Sequence, residues 1–303
     1  MPPTLRLLEN IEDMFVVEDL QRQVWGMDDA VVPNHLLLTA AHNGGLILGA
    51  FIDNRMVGFV FGFPGLTHTP DGPQPKHCSH MLAVLPEYEN QGIGYLLKRA
   101  QWQMVRHQGL PLITWTYDPL LSRNAHLNIV RLGAISNTYV PNMYGEMHDS
   151  LNQGSPSDRL QVEVWVNSSR VRNRMSKRPR RQLDLAHYLS ANTEIINPTR
   201  LGDAGWPQPS DTPWQPAVIA QSAGEPLPEN LLQAALYLLE IPSDFQDLKT
   251  ADPKLGLAWR LHVRTLLQDL FARGYLITDF VYLRGEYPRS FYILSHGERT
   301  LGE

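Results

Sequence analysis

Cysteine is almost missing from this chain: Cys78 is the only one in 303 residues. A single thiol forms no intrachain disulfide and builds no cysteine zinc site. The 11 histidines fall into no HExxH or comparable spacing, so no metal is expected. Long apolar runs are missing too, and Met1 to Phe15, which carries Glu9, Glu12 and Asp13, has no signal-peptide core. The expectation is a cytoplasmic protein with no membrane partner. Positive charge is in deficit, with 26 Lys and Arg against 31 Asp and Glu. That balance argues against nucleic acid as a partner of the whole chain, since duplex binding rests on an excess of cations neutralising phosphates. No repeat period runs through the sequence.

What is present is the composition of a globular protein, 43% hydrophobic and 19% charged. The length allows one large domain or two of ordinary size, and two are expected. The most informative stretch runs from Cys78 to Gly109. An apolar run ending at Val84 and Leu85 meets Pro86, and a polar turn follows. Gly92 and Gly94 then open a helical pattern with Ile93, Leu96, Leu97, Ala100 and Met104 on one face. Glycines at a helix mouth let a ligand approach the backbone, and the first-turn N–H groups have no intrahelical partners. The chemistry indicated is phosphate binding. A dinucleotide fingerprint needs a third glycine where Leu97 stands, and a P-loop needs a Gly-Lys-Ser/Thr that is absent.

Around this stretch the pattern predicts a strand at 4–8, a helix at 11–25, and a helix at 34–42 with Asn34 as its N-cap. A hairpin of 46–52 with 56–63 follows, then a Pro- and Gly-rich loop over 64–75. Beyond the glycine helix come a strand at 112–117, a helix at 122–132 capped by Ser122, and strands at 137–144 and 160–166. Strand, helix and strand in that order make a parallel crossover. Seven Arg and Lys residues between Arg170 and Arg181 read as a solvated linker or an anion site, and 196–228 is studded with prolines. A strand at 236–241, a helix at 252–273 capped by Asp252, and strands at 275–283 and 290–294 then form a small α+β unit.

The run Val84-Leu85-Pro86-Glu87-Tyr88-Glu89-Asn90-Gln91-Gly92-Ile93-Gly94-Tyr95 resembles the acyl-CoA-binding motif of the GCN5-related N-acetyltransferase (GNAT) superfamily. Gly92 and Gly94 match; Glu89 stands where the motif has Gln or Arg. Ser122 to Ala134 resembles the family's later helix, with Ala125 and Gly133 in register and Ile129 where a general-acid Tyr is common. The block from Trp115 to Glu146 is similar to a subgroup of predicted acetyltransferases with a C-terminal extension. The fold expected is α/β, a mixed sheet of GNAT-like acyl-CoA N-acyltransferase type, with a second, smaller α+β domain. The division expected is 1–169 for the acyltransferase domain, 170–228 for a basic and Pro-rich linker or wrapping arm, and 229–303 for the C-terminal domain.

The resemblance implies direct transfer of an acyl group from acetyl-CoA, or another acyl-CoA, to the amine of a small-molecule acceptor. It places cosubstrate contacts at Leu82, Ala83 and Val84 along the strand and at Asn90, Gln91, Gly92, Ile93, Gly94 and Tyr95 around the turn. His80, on a strand that resembles the histidine-bearing strand of arylalkylamine N-acetyltransferases, is the candidate base; alternation sets it on one side with Cys78, Leu82 and Val84. Tyr117 is the candidate acid. Asp118, Arg123, Asn124, Tyr144 and Glu146 are candidates for acceptor binding. The alternative is a catalytically degenerate acyl-CoA-binding regulatory or interaction module, and a homo-oligomer is possible.

Overall fold

The structure is a computed structural model describing residues 2–26, 31–145, 156–176, 183–191, 193–210 and 236–296. The elements of the first half are β1 (Thr4–Leu7), α1 (Ile11–Trp25), α2 (Asn34–His42), β2 (Leu46–Ile52), β3 (Arg55–Thr69), β4 (Gly72–Val84), α3 (Ile93–His107), β5 (Leu112–Tyr117), α4 (Ser122–Ala125), β6 (Ile135–Val140) and β7 (Arg159–Trp165). There follow α5 (Ser169–Arg174), α6 (Leu185–Ser190), β8 (Glu194–Ile195), β9 (Arg200–Leu201), β10 (Pro207–Gln208), β11 (Tyr237–Ile241), α7 (Phe245–Ala251), α8 (Pro253–Ala272), β12 (Tyr275–Leu283) and β13 (Arg289–His296). The fold class is mixed α/β. Over their described residues the elements fall into two compact units, one built on Met1–Trp115 and Glu163–Lys177, the other on Thr116–Met147, Gly154–Val162 and Arg178–Glu303.

The first unit carries strands in the order β1-β2-β3-β4-β5. Neighbours are antiparallel as far as β4, and β4 pairs with β5 in parallel, as the crossover requires. One face of this sheet is covered by α1 and α2, where Met14, Val17, Leu20 and Leu37 pack on Phe59, Phe61, Ala83 and Leu85. The other face is covered by α3, where Ile93 and Leu97 meet Leu48, Ala50, Val57 and Val60. Local signals fix the helices. Asn10 caps α1 by accepting from the Asp13 N–H, Glu12 and Asp13 complement the helix dipole, and Gly26 closes it at φ 70.

Two local expectations are corrected. Asn34 does not cap α2; Pro33 holds that position, and Asn34 gives its amide and side-chain N–H groups to the Glu18 carboxylate. The stretch 64–75 is no loop but a two-stranded ribbon, with β3 and β4 paired out to Thr69 and Gly72. Past Gly62, β3 has left β2, and before His77, β4 has no register with β5, so both strands have a free edge. Proline lacks an N–H but is tolerated on such an edge, which is how Pro64, Pro73 and Pro75 fit.

The second unit carries strands in the order β7-β6-β12-β13-β11-β8. The expected α8 is present, with Asp252 capping Leu255 N–H and Pro253 in the first turn. Leu255, Trp259, Val263, Leu266, Leu267 and Leu270 are buried along it. The expected helix at 122–132 is instead the short α4 followed by a π-helical stretch over His126–Arg131, and Leu121 rather than Ser122 is its N-cap. The Ser122 hydroxyl is engaged by that of Ser290 at 2.8 Å. Among the described residues no helix is long and apolar enough to cross a membrane.

Candidate functional site

At the mouth of α3 the chain passes through two left-handed residues, Asn90 at φ 60 and Gly92 at φ 80. Gly92 is the N-cap, no side chain caps the helix, and its first turn holds no acidic residue. No residue of that turn carries a carboxylate that would oppose an anion at its backbone donors. A Cβ at Gly94 would touch only Leu82 Cδ2, at an ordinary 3.6 Å. The fold thus accepts a small side chain there, and the glycine keeps the cradle open beside Leu82. Glu89 is exposed. Gln91 folds back, giving its side-chain N–H to Glu87 O at 3.2 Å.

The cradle leads into a split in the sheet. β4 and β5 are in register only at His77↔Ile113 and Cys78↔Thr114, then part, leaving Ser79 to Val84 without a β5 partner. An edge of unpaired backbone donors and acceptors is what an extended amide-bearing chain adds to. Leu82, Ala83 and Val84 lie along it, still paired on the other side with Val60, Phe59 and Gly58.

His80 does not share a side with Leu82 and Val84, contrary to the alternation expected. Phe61 pairs Met81 but Gly62 pairs Ser79, so His80 is the extra residue of a β-bulge. One inserted residue reverses the alternation beyond it. Leu82 and Val84 pack on the α3 side. The His80 ring lies instead against Phe61 and Phe63, at centroid distances of 5.9 and 6.0 Å. The imidazole keeps one side open to solvent, while loss of water against those rings lowers its pKa from the ordinary value. That loss of water favours the neutral form of the ring.

Sequence reading passed over a polar cluster on the α3 side of the same split. Lys98, 5% exposed, gives an N–H to Ser79 Oγ at 2.8 Å and stands 3.5 Å above the Trp115 ring. Ser79 Oγ lies 2.9 Å from Gln101 Oε1, and Gln101 Nε2 lies 3.1 Å from His77 Nε2. Lysine only donates, so Ser79 donates to Gln101, the amide donates to His77 Nε2, and the imidazole proton sits on Nδ1. Among the described residues that buried Nδ1 has no partner. Burial, helped by the Lys98 charge, pushes the His77 pKa down to about 3, and burial pulls Lys98 well below the ordinary lysine value. The signal was hidden because the buried stripe of α3 is Ile93, Leu97, Lys98, Gln101, Trp102 and Val105, and hydropathy leaves out its two polar members.

Most of the remaining candidates belong to the second unit. Tyr117 is buried, its hydroxyl 3.1 Å from that of Tyr292, which donates to Pro119 O at 2.7 Å. Burial raises the Tyr117 pKa, in spite of the Tyr292 bond. The Asp118 carboxylate is held by two 2.6 Å bonds from Arg260 and by the Leu120 N–H. Arg123 is exposed and Asn124 half-buried. The Tyr144 hydroxyl lies 3.1 Å from Thr116 Oγ1, with the Arg159 guanidinium 5.3 Å from its ring centre. Glu146, like Lys177 to Arg181 of the basic segment, lies outside the described residues.

The chain matches no curated protein. Among solved structures it is similar to a ribosomal-protein alanine N-acetyltransferase from Escherichia coli, at 15% identity over 54% of this chain and 94% of that one, with a TM-score of 0.42. It is similar to a GNAT acetyltransferase from Streptococcus pneumoniae, at 15% identity over 54% and 98%, with a TM-score of 0.41. An aminoglycoside acetyltransferase from an uncultured soil metagenomic sample overlaps at 20% identity over 36% and 72%, with a TM-score of 0.31. It is the family model, not these overlaps, that identifies the domain. Residues 9–127 match the model of the acetyltransferase (GNAT) family, and this part of the chain is a GNAT acetyltransferase domain.

Proposed function

We propose that this chain is an acyl-CoA-dependent N-acyltransferase, with acetyl-CoA as the first cosubstrate to test and the amine of a small molecule as acceptor. The observation that carries the reading is the parting of β4 and β5 after Cys78↔Thr114, next to a glycine-opened helix mouth that no side chain caps. The pyrophosphate is held by backbone donors from Asn90 to Tyr95, and the pantetheine arm lies along the free edge of Leu82, Ala83 and Val84. The acceptor amine attacks the thioester carbonyl, His80 takes the proton from the nitrogen, and the C–S pair leaves on sulfur. Arg123, Asn124 and Tyr144 are the residues proposed for acceptor recognition, whereas Asp118 is committed to Arg260.

Thermal unfolding with and without acetyl-CoA tests the first step. A ligand at 100 times its Kd stabilises the folded state by about 2.7 kcal/mol, a rise in Tm of several degrees. No shift at millimolar acetyl-CoA would remove the cosubstrate from the proposal. A second reading, binding without turnover, is favoured by Ile129, fully buried where the family commonly has its acid, and by the engaged Tyr117 hydroxyl. It requires that no amine in a broad panel release free CoA; any amine-dependent release disposes of it.

A further inference from the structure

Lys98 is a buried amine whose role neither the fold nor the cradle explains. Its Nζ is gripped from both sides of the split, by Ser79 on β4 and by the Trp115 ring on β5, the first residues after the last paired positions. Among the described residues no carboxylate pairs with it, and the cluster it heads is rich in donors: the Lys98 amine and the orphan His77 Nδ1–H have no anion to meet. A buried cluster with donors to spare is the complement of an electron-rich ligand atom.

Such an atom is within reach. Lys98 lies roughly 8 Å along the α3 axis from the helix mouth. Ser79 lies roughly 10 Å back along the strand from Leu82, beside that mouth. A pantetheine arm anchored by its phosphates at the cradle is longer than either distance, so its sulfur reaches the point where the strands part.

We propose that Lys98 is the catalytic residue that receives the leaving sulfur, with Ser79 and Trp115 positioning its ammonium. The inference rests on the acyl-CoA reading above and adds to it a cation for the leaving group. When the acceptor nitrogen has bonded to the carbonyl carbon, the C–S bond breaks and its electron pair goes to sulfur. The thiolate pairs with the Lys98 ammonium, which keeps its proton, and is protonated by water as CoA departs; the proton shed by the acceptor nitrogen through His80 to water balances that one. Such a pair is strongest where water is excluded, as it is around Lys98. His77, the other titratable member of the cluster, stays neutral and adds no second charge.

The test needs no acceptor. The thiolate of CoA absorbs in the near ultraviolet, so the thiol can be titrated while bound, with calorimetry of acetyl-CoA binding as a parallel measurement. In the wild-type protein the bound thiol is expected to titrate at least one pH unit below that of free CoA, a tenfold gain in thiolate at a given pH. Lys98→Met should return it to the free value or above with acetyl-CoA affinity changed less than threefold; Lys98→Arg should keep part of the lowering. Ser79→Ala should fall between, and it decides the matter with the wild type if Lys98→Met does not fold. A bound thiol that titrates as free CoA does, or a lowering that survives Lys98→Met, overturns the proposal while acetyl-CoA still binds. Failure of acetyl-CoA to bind at all removes the underlying reading, and this one with it.

Discussion

His77 makes acid a specific threat to the first unit. Its ring is fully buried, its Nε2 accepts from Gln101, and its pKa is pushed from 6.5 to about 3 by burial, with the Lys98 charge adding to it. Between those two values the unfolded chain binds a proton that the folded chain refuses. Stability therefore falls as pH drops from about 6.5 towards 3, by up to about 1.4 kcal/mol per pH unit from this group. Urea unfolding at pH 7, 6, 5 and 4 should show a steeper loss for the wild type than for His77→Gln, by about 1 kcal/mol per unit below pH 6. Parallel slopes for the two proteins would mean that the ring takes up its proton in the folded state. At this scale the sequence was legible in the backbone, as in Gly92, whose left-handed conformation opens α3, and illegible where the site depends on which polar side chains are buried. Lys98 and Gln101 are absent from the apolar face that the spacing picks out, because nothing local says that Ser79, Trp115 and His77 will meet them.

The element that shapes the site is the β3–β4 pair with its bulge. Gly62 sits opposite the bulge, and a Cβ there would lie 2.3 Å from His77 Nε2, 2.7 Å from Cys78 O and 2.9 Å from Gln101 Nε2. Two of those neighbours belong to the buried cluster and the third is backbone, so no flexible chain end can yield. Gly62→Ala is expected to cost about 2 kcal/mol or more, through backbone displacement and loss of the Gln101–His77 bond. Denaturant midpoints measure it; a change within about 0.5 kcal/mol would mean that the cluster can rearrange freely. The elements themselves were mostly legible: α1, α3 and α8 announce themselves by apolar spacing, the last two also by Gly92 and Asp252 at their starts. What the pattern could not show was a bulge, because a two-residue period assumes its absence. That one inserted residue moved His80 to the face of Phe61 and Phe63, away from Leu82 and Val84. The ribbon of 64–75 was missed for a related reason, since prolines exclude a central strand but not a free edge.

Across the whole chain, the second unit is tied together by ions that are far apart in sequence. Arg260 and Arg264, one turn apart on α8, reach Asp118 and Asp158, which also accepts the Tyr139 hydroxyl at 2.6 Å. Burial works to raise the Asp158 pKa, but the Arg264 and Tyr139 bonds more than offset it and hold the carboxylate below its ordinary range. Arg260 is 2% exposed and its partner carboxylate is buried too, 142 positions away in the chain. No local signal pairs such positions; Arg260 simply follows buried Trp259 in a helical pattern. Desolvation makes the pair a constraint more than a source of stability. Removing one partner leaves a buried charge unanswered and costs about 3–5 kcal/mol, whereas removing both costs far less. Arg260→Met and Asp118→Asn should each be severely destabilised, and the double variant should recover more than half of the loss of Arg260→Met, as read from denaturant unfolding at pH 7. Additive losses would show that each residue acts through separate contacts, Asp118 through the Leu120 N–H and Arg260 through the Phe245 ring 5.1 Å away, and that the ion pair is not what fixes α8 to the residues after Tyr117.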